Sequence, residues 1–174
     1  MTDQWRNRIV GAGDEAPDQL LANPQNWRIH PQAQQDALEG VLNEVGWVQQ
    51  VLVNRRTGHL IDGHLRVALA MRRGEPTVPV LYVDLDPHEE ALILATLDPL
   101  AAMAATDAEK LDELLREVST GEAAVQAMLD QLAQDAGVVP SDVEPPAEFA
   151  AYDEDIETDY RCPKCGYEWS GAPR

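Results

Sequence analysis

The stretch Leu-Ile-Asp-Gly-His-Leu-Arg at residues 60–66, continued by Val-Ala-Leu-Ala-Met-Arg-Arg to residue 73, constrains this chain more than any other. Leu60 and Ile61 read as the end of a strand, and Asp62 and Gly63 turn the chain. From His64 onward, Leu65, Leu69, Arg72 and Arg73 recur at helical spacing. Where a strand turns straight into a helix, the first helical N–H groups have no intrahelical acceptor, and the aligned peptide dipoles put partial positive charge at the same end. An anion is favoured there. Gly63 lets backbone come close to a ligand, and Arg66, one turn in, offers a planar fork of donors suited to phosphate. Asp62 has two readings, as a cap for the helix or as a holder of a metal ion carried by a phosphate ligand. The structural alternative for the same letters is an N-cap, a turn and a solvated helix charge.

The rest of the chain is read around this segment. Residues 1–18 mix charges with Gly11, Gly13 and Pro17 without a sustained period, which predicts a mobile lead-in. Residues 19–22 read as a short strand, Asn23 and Pro24 as a turn, and Pro31 as the opening of a helix over residues 32–45. That helix places Ala33, Ala37, Leu38, Val41, Leu42 and Val45 on one face and ends at Gly46. Residues 48–54 and 59–61 form a hairpin-like pair around a polar turn. After the helix at residues 64–73, Gly74 and Pro76 break the chain and residues 78–83 form another strand, where Pro79 marks an edge or a strand start. Asp86 caps an apolar helix that runs to about residue 97, with Pro87 at its first position. Thr106 and Glu109 open a second helix over residues 106–118, and a third covers residues 121–136. The order strand, helix, two strands, helix, strand, then helices, specifies an α+β fold: a mixed-sheet domain at 19–98 and a helical extension at 99–137.

Composition limits the function classes. The 174 residues carry a formal net charge of −18, unevenly placed. The first hundred hold 8 basic and 14 acidic residues, the remainder 5 and 17. Any nucleic-acid contact therefore needs a local patch, and Arg55, Arg56, Arg72 and Arg73 are the candidates. The start Met-Thr-Asp-Gln-Trp-Arg lacks the apolar core of a secretory signal and no apolar run is long enough to span a membrane, so a cytoplasmic protein without membrane contact is expected. Cys162 and Cys165 are the only cysteines, which excludes a disulfide framework.

Residues 138–160 change character. Pro140, Pro145 and Pro146 interrupt them, and residues 142–159 hold acids but no Lys or Arg, which predicts an acidic, disordered linker. It leads to residues 161–174, where Cys-Pro-Lys-Cys-Gly resembles one knuckle of a zinc ribbon. Two thiolates at this spacing can meet one Zn²⁺, yet a structural site needs four ligands. A second chain, a partner protein or a distant His would complete it, so a homodimer or a partner joined through the knuckle is one expectation. A redox dithiol is the other reading of the pair, without its usual strand-to-helix context.

Four pieces in order, Ala-Asn-Pro-Gln-Asn-Trp-Arg, Gly-Trp-Val-Gln-Gln-Val-Leu-Val-Asn, Thr-Gly-His-Leu-Ile-Asp-Gly-His-Leu-Arg and Val-Pro-Val-Leu-Tyr-Val-Asp-Leu-Asp-Pro, resemble the ParB and sulfiredoxin superfamily, in particular the ParB-like proteins of phages and mobile elements. The likeness covers about residues 19–96. It implies a compact ParB/sulfiredoxin-like domain that binds a nucleoside triphosphate, with Mg²⁺, at the turn before the helix. Carried over residue by residue, it assigns phosphate contact to Gly63, His64, Leu65 and Arg66, and to Arg28, which follows the Asn-Pro turn. Asp62 and His64 become the candidate catalytic pair, Asp62 orienting a hydroxyl or Mg²⁺ and His64 donating to a phosphate. The sulfiredoxin thiol is replaced here by His64 and Leu65, which argues against sulfinic-acid reduction. The leading expectation is thus a ParB-like nucleotide-binding protein in DNA transactions of a phage or mobile element. An ATP-dependent phosphotransferase acting on a small molecule or nucleotide is the second reading. A ParB-like nuclease, for which no cluster of acids for two metals is evident, and an adaptor for DNA or protein follow.

Overall fold

The computed structural model describes residues 4–138 and 160–169. The chain divides into two units, Met1–Val139 and Pro140–Arg174. In the first, four strands form one sheet: β1 (Ile9–Glu15), β2 (Val51–Asn54), β3 (Leu60–Asp62) and β4 (Val78–Val83), in the spatial order β1-β4-β2-β3. β2 and β3 are an antiparallel hairpin, β2 and β4 run parallel, and β1 closes the far edge antiparallel to β4. The helices are α1 (Gln32–Glu44), α2 (His64–Arg73), α3 (Pro87–Ala102), α4 (Ala108–Glu117) and α5 (Ala123–Asp135).

The near-continuous apolar letters of the central strands follow from a sheet covered on both faces. Alternate side chains point to opposite sides. Val51, Val53, Leu60, Val78 and Val80 join Val67 and Ala70 of α2 in one cluster, whereas Ile61, Val83 and Leu85 join Leu94 of α3 in another. Each fully buried Val, Leu or Ile contributes roughly 1.5–3 kcal/mol relative to exposure. The two clusters clamp the β3–α2 junction between layers, which fixes where α2 begins.

Several expectations need correction. Residues 9–15 of the predicted lead-in are β1, paired from Ile9 opposite Val83 to Glu15 opposite Val78, with a bulge between Ile9 and Gly11. Backbone hydrogen bonds suffice for such an edge, and Tyr82 Oη adds one to Glu15 at 2.5 Å. Residues 19–22 reduce to a 3₁₀ turn at Pro17–Gln19 and one bridge between Leu21 and His59. β4 is interior, so Pro79 marks a strand start and not an edge: the parallel ladder to β2 begins at Val80, past the residue that has no N–H. α4 is capped by Asp107, whose carboxylate accepts from Lys110 N at 3.2 Å, in place of Thr106. α3 runs on past Leu97, through Pro99, to Ala102. Its start is as expected, with a reciprocal cap between Asp86 and Glu89. α5 packs on α1 through Gly40, where a Cβ would meet Val125 Cγ2 at 2.8 Å.

The acidic linker lies outside the described residues, except for its first and last positions. In the second unit, β5 (Tyr160–Arg161) and β6 (Glu168–Trp169) pair antiparallel around the two cysteines.

Candidate functional site

Gly63 is the hinge of the site. Its φ of +91° lies in the left-handed region, and a Cβ there would stand 2.6 Å from Val51 Cγ1 and 3.2 Å from Val51 Cα. Only glycine satisfies both conditions. The close approach expected at this residue is therefore to strand β2. Asp62 does not cap α2: Gly63 is the N-cap residue, with no side-chain hydrogen bond to the helix start. The first N–H groups of α2 are left without a side-chain cap, which is the condition for an anion site.

The open end of α2 faces a pocket of about 240 Å³ lined by Asp62, Gly63, His64, Leu65 and Arg66 from the turn, Arg28 and His30 from the preceding loop, Gln34 and Leu38 of α1, and Asp98 of α3. Four separate segments meet here. Arg66 donates to Asp62 at 2.7 Å and to Gln49 at 3.0 Å. Arg28 lies 3.9 Å from Asp62 Oδ1 and in ion contact with Asp98 through Nε, with its side chain 10% exposed. Asp62 is thus shared by two guanidiniums. Four buried ring and guanidinium nitrogens, Arg28 Nη2, His30 Nε2, His64 Nδ1 and Arg66 Nε, have no hydrogen-bond partner. Leaving a buried donor unmatched costs about 1–3 kcal/mol, and Arg28 Nη2, His64 Nδ1 and Arg66 Nε are donors that a multi-oxygen anion would satisfy, whereas His30 donates from Nδ1 to Gln34 Oε1 at 3.0 Å and keeps Nε2 as an acceptor.

The His64 ring is oriented by a backbone contact. The N–H of Asn23 donates to His64 Nε2 at 3.2 Å, so in the neutral ring the proton sits on Nδ1, the unpartnered nitrogen. Burial, and then Arg28, hold its pKa below the ordinary imidazole range, against the opposing pull of Asp62. His64 is therefore a neutral donor, with its acceptor nitrogen already used. Asn23 is in turn anchored by Glu90 of α3: Asn23 Nδ2 donates to Glu90 Oε1 at 2.7 Å, while Asn54 and Thr57 donate to Oε2, the latter at 2.9 Å. Glu90 is 5% exposed. A buried carboxylate surrounded by donors ties the 23–30 loop to the sheet and to α3.

Of the residues singled out from sequence, Asp62, Gly63, His64, Leu65, Arg66 and Arg28 come together at this pocket. His30 lines it too. Sequence reasoning missed Asp98, Glu90 and Gln49. Asp98 fell past the expected end of α3, and Glu90 looked like an ordinary first-turn acid of α3. Trp27 is 58% exposed, with Arg28 5.9 Å from its ring centroid, whereas Trp47 packs against the core.

The four patch arginines fall in two pairs on two elements. Arg55 and Arg56 sit in the β2–β3 turn, Arg72 and Arg73 in the last turn of α2. Arg56 pairs with Asp84, Arg72 with Glu39 at 3.3 Å, and Arg73 with Glu75 at 3.2 Å. Such pairing lowers the positive field they present to a phosphate backbone. Among the described residues no three His, Cys, Asp or Glu side chains gather as a metal cluster, and no helix is long and apolar enough to cross a membrane.

No protein-family model matches the sequence, and no curated protein matches it. Solved structures do. The C-terminally truncated chromosome-partitioning protein ParB from Caulobacter crescentus, complexed with CTP-gamma-S, is similar at a TM-score of 0.51 and 19% identity, over 75% of this chain and 73% of that one. Two structures of the pNOB8-like ParB N-domain align at TM-scores of 0.46, with 17% and 18% identity over 76% of this chain. The match spans about half of each, 52% and 50%. At these identities the likeness is one of fold, which this chain shares with the Caulobacter ParB structure.

Proposed function

We propose that the pocket at the start of α2 binds a nucleoside triphosphate through its phosphates, and that this ParB-like domain is a nucleotide-binding module. The observation that carries this reading is the set of unpartnered donor nitrogens of Arg28, His64 and Arg66 around an uncapped helix start. Phosphate oxygens would accept from the α2 N–H groups, from the Arg66 and Arg28 guanidiniums and from His64 Nδ1–H. Support from outside the chain is the shared fold with a protein whose structure holds CTP-gamma-S.

Binding is favoured over phosphoryl transfer by what Asp62 and His64 already do. A base or a Mg²⁺ ligand at Asp62 would have to compete with Arg66, 2.7 Å away, and Arg28. His64 has no free acceptor nitrogen with which to take a proton. A Mg²⁺ ion takes one or two carboxylates together with phosphate oxygens, and Asp62 and Asp98 are the carboxylates lining this pocket. A role in DNA transactions of a phage or mobile element draws no support from Arg56, Arg72 and Arg73, each of which is held by an acid.

Calorimetry of the full chain with ATP, GTP, CTP and UTP, each with and without Mg²⁺, tests the reading. Saturable binding of at least one triphosphate, with product analysis showing no turnover, is expected. Absence of binding to all four overturns it, and rapid formation of a phosphorylated acceptor or of inorganic phosphate restores the transferase or hydrolase alternative.

A further inference from the structure

We propose that Cys162 and Cys165 form half of a tetrathiolate zinc site that two copies of this chain complete between them. The second unit presents the two thiols on one short device. β5 and β6 pair with Tyr160 opposite Trp169 and Arg161 opposite Glu168, and the segment between them folds back so that Cys162 N donates to Tyr167 O at 2.8 Å. Gly166 N returns to Cys162 O at 2.9 Å, and Gly166 takes φ +77°, a conformation that a side chain at this position would strain. Both cysteines are free thiols, Cys165 exposed and Cys162 partly so.

Cys162 and Cys165 stand on the same turn with two residues between them, a spacing at which two thiolates can take adjacent corners of a tetrahedron.

What the turn lacks is the other half. Zinc held structurally takes four ligands from Cys, His or carboxylate. The sequence holds no further cysteine, and of its four histidines His64 Nε2 accepts from Asn23 and His30 Nδ1 contacts Gln34 at 3.0 Å. No described third ligand stands beside the pair. A second copy supplies two more thiolates with the same preorganised geometry, and a symmetric pair of identical knuckles is the simplest closed arrangement. Binding would release the thiol protons to solvent, so assembly is favoured as pH rises.

Native mass spectrometry of the full chain, first with zinc and then with a chelator, tests this. One zinc per two chains, and a dimer that falls to monomer on chelation, are expected. Cobalt substitution gives a second readout: thiolate-to-metal absorbance per cobalt should match four sulfurs, and Cys165→Ser should abolish both signals while the helical circular dichroism of the first unit is retained. One tightly held zinc per monomer, a dimer that survives chelation, absorbance corresponding to two sulfurs, or failure to take up zinc at micromolar concentration each overturns the proposal. None of these readouts depends on nucleotide binding.

Discussion

The backbone N–H of Asn23 donates to Nε2 of His64 at 3.2 Å, across forty-one positions of sequence. This contact sets the imidazole tautomer in the pocket, and the Asn23 side chain is itself fixed by Glu90 at 2.7 Å. Removing the side chain in Asn23→Ala leaves the Glu90 Oε1 atom without its closest donor. Unsatisfied buried groups of this kind cost about 1–3 kcal/mol. Urea denaturation should show a loss in that range, and nitrogen NMR of the His64 ring should show mixed tautomers. A variant with unchanged midpoint and a single Nδ1–H tautomer would mean that the loop is held by other contacts.

The pH dependence of stability carries the signature of His64. Its pKa is lowered in the fold, first by burial and next by Arg28. In the unfolded chain the ring titrates near its ordinary value of about 6.5, so below that pH the unfolded chain takes up a proton that the folded ring resists. The contribution is fully present above about pH 6.5 and is lost as pH falls toward the folded pKa. One group can give a slope of at most about 1.4 kcal/mol per pH unit, and solvent screening trims this for a half-buried ring. Denaturation midpoints between about pH 7.5 and 5 should therefore fall less steeply in His64→Gln than in the parent chain. Parallel slopes would remove His64 from the account.

Arg66 is the clearest single test of the pocket. It approaches from one turn inside α2, and its Nε atom is buried without a partner. Replacing it with Ala should weaken triphosphate binding by about 1.5–3 kcal/mol, the scale of a charge-assisted hydrogen bond, or roughly 10- to 150-fold in Kd. Lys at this position keeps the charge but loses the fork, and should recover only part of the affinity. Calorimetry showing parental affinity in Arg66→Ala would place the ligand elsewhere.

Gly63→Ala tests why the turn is built as it is. The variant meets left-handed strain of about 1–3 kcal/mol and, in addition, overpacking of similar size against Val51. A Cβ there would be 2.6 Å from Val51 Cγ1. Thermal melts should show strong destabilisation, and Val51→Ala in the same chain should recover only the share due to Cγ1, because the new Cβ would still stand 2.8 Å from the Cβ of residue 51. A double-mutant cycle with no coupling between the two sites would contradict the packing explanation.

Short-range rules set the local events at the site. The apolar pair Leu60 and Ile61, the turn at Gly63 and the helical period after it specify a strand, a hinge and an open helix start, because strand alternation, helix period and the conformational freedom of glycine act over a few residues. For the same reason α2 and β4 end where their letters say, at Arg73 and Val83. The edge strand β1 was not legible, because Ile9–Glu15 holds two glycines and two acids, and its order comes from backbone pairing with β4. Nor could letters place Asp98 beside Arg28, Glu90 under Asn23 or Asn23 against His64, separations of 70, 67 and 41 residues. Those contacts exist because α3 packs on one face of the sheet and the 23–30 loop is drawn across the start of α2. Burial then does what sequence spacing cannot: it lowers the His64 pKa and withdraws solvent from Arg28 and Arg66, whose Nη2 and Nε atoms are left without a partner.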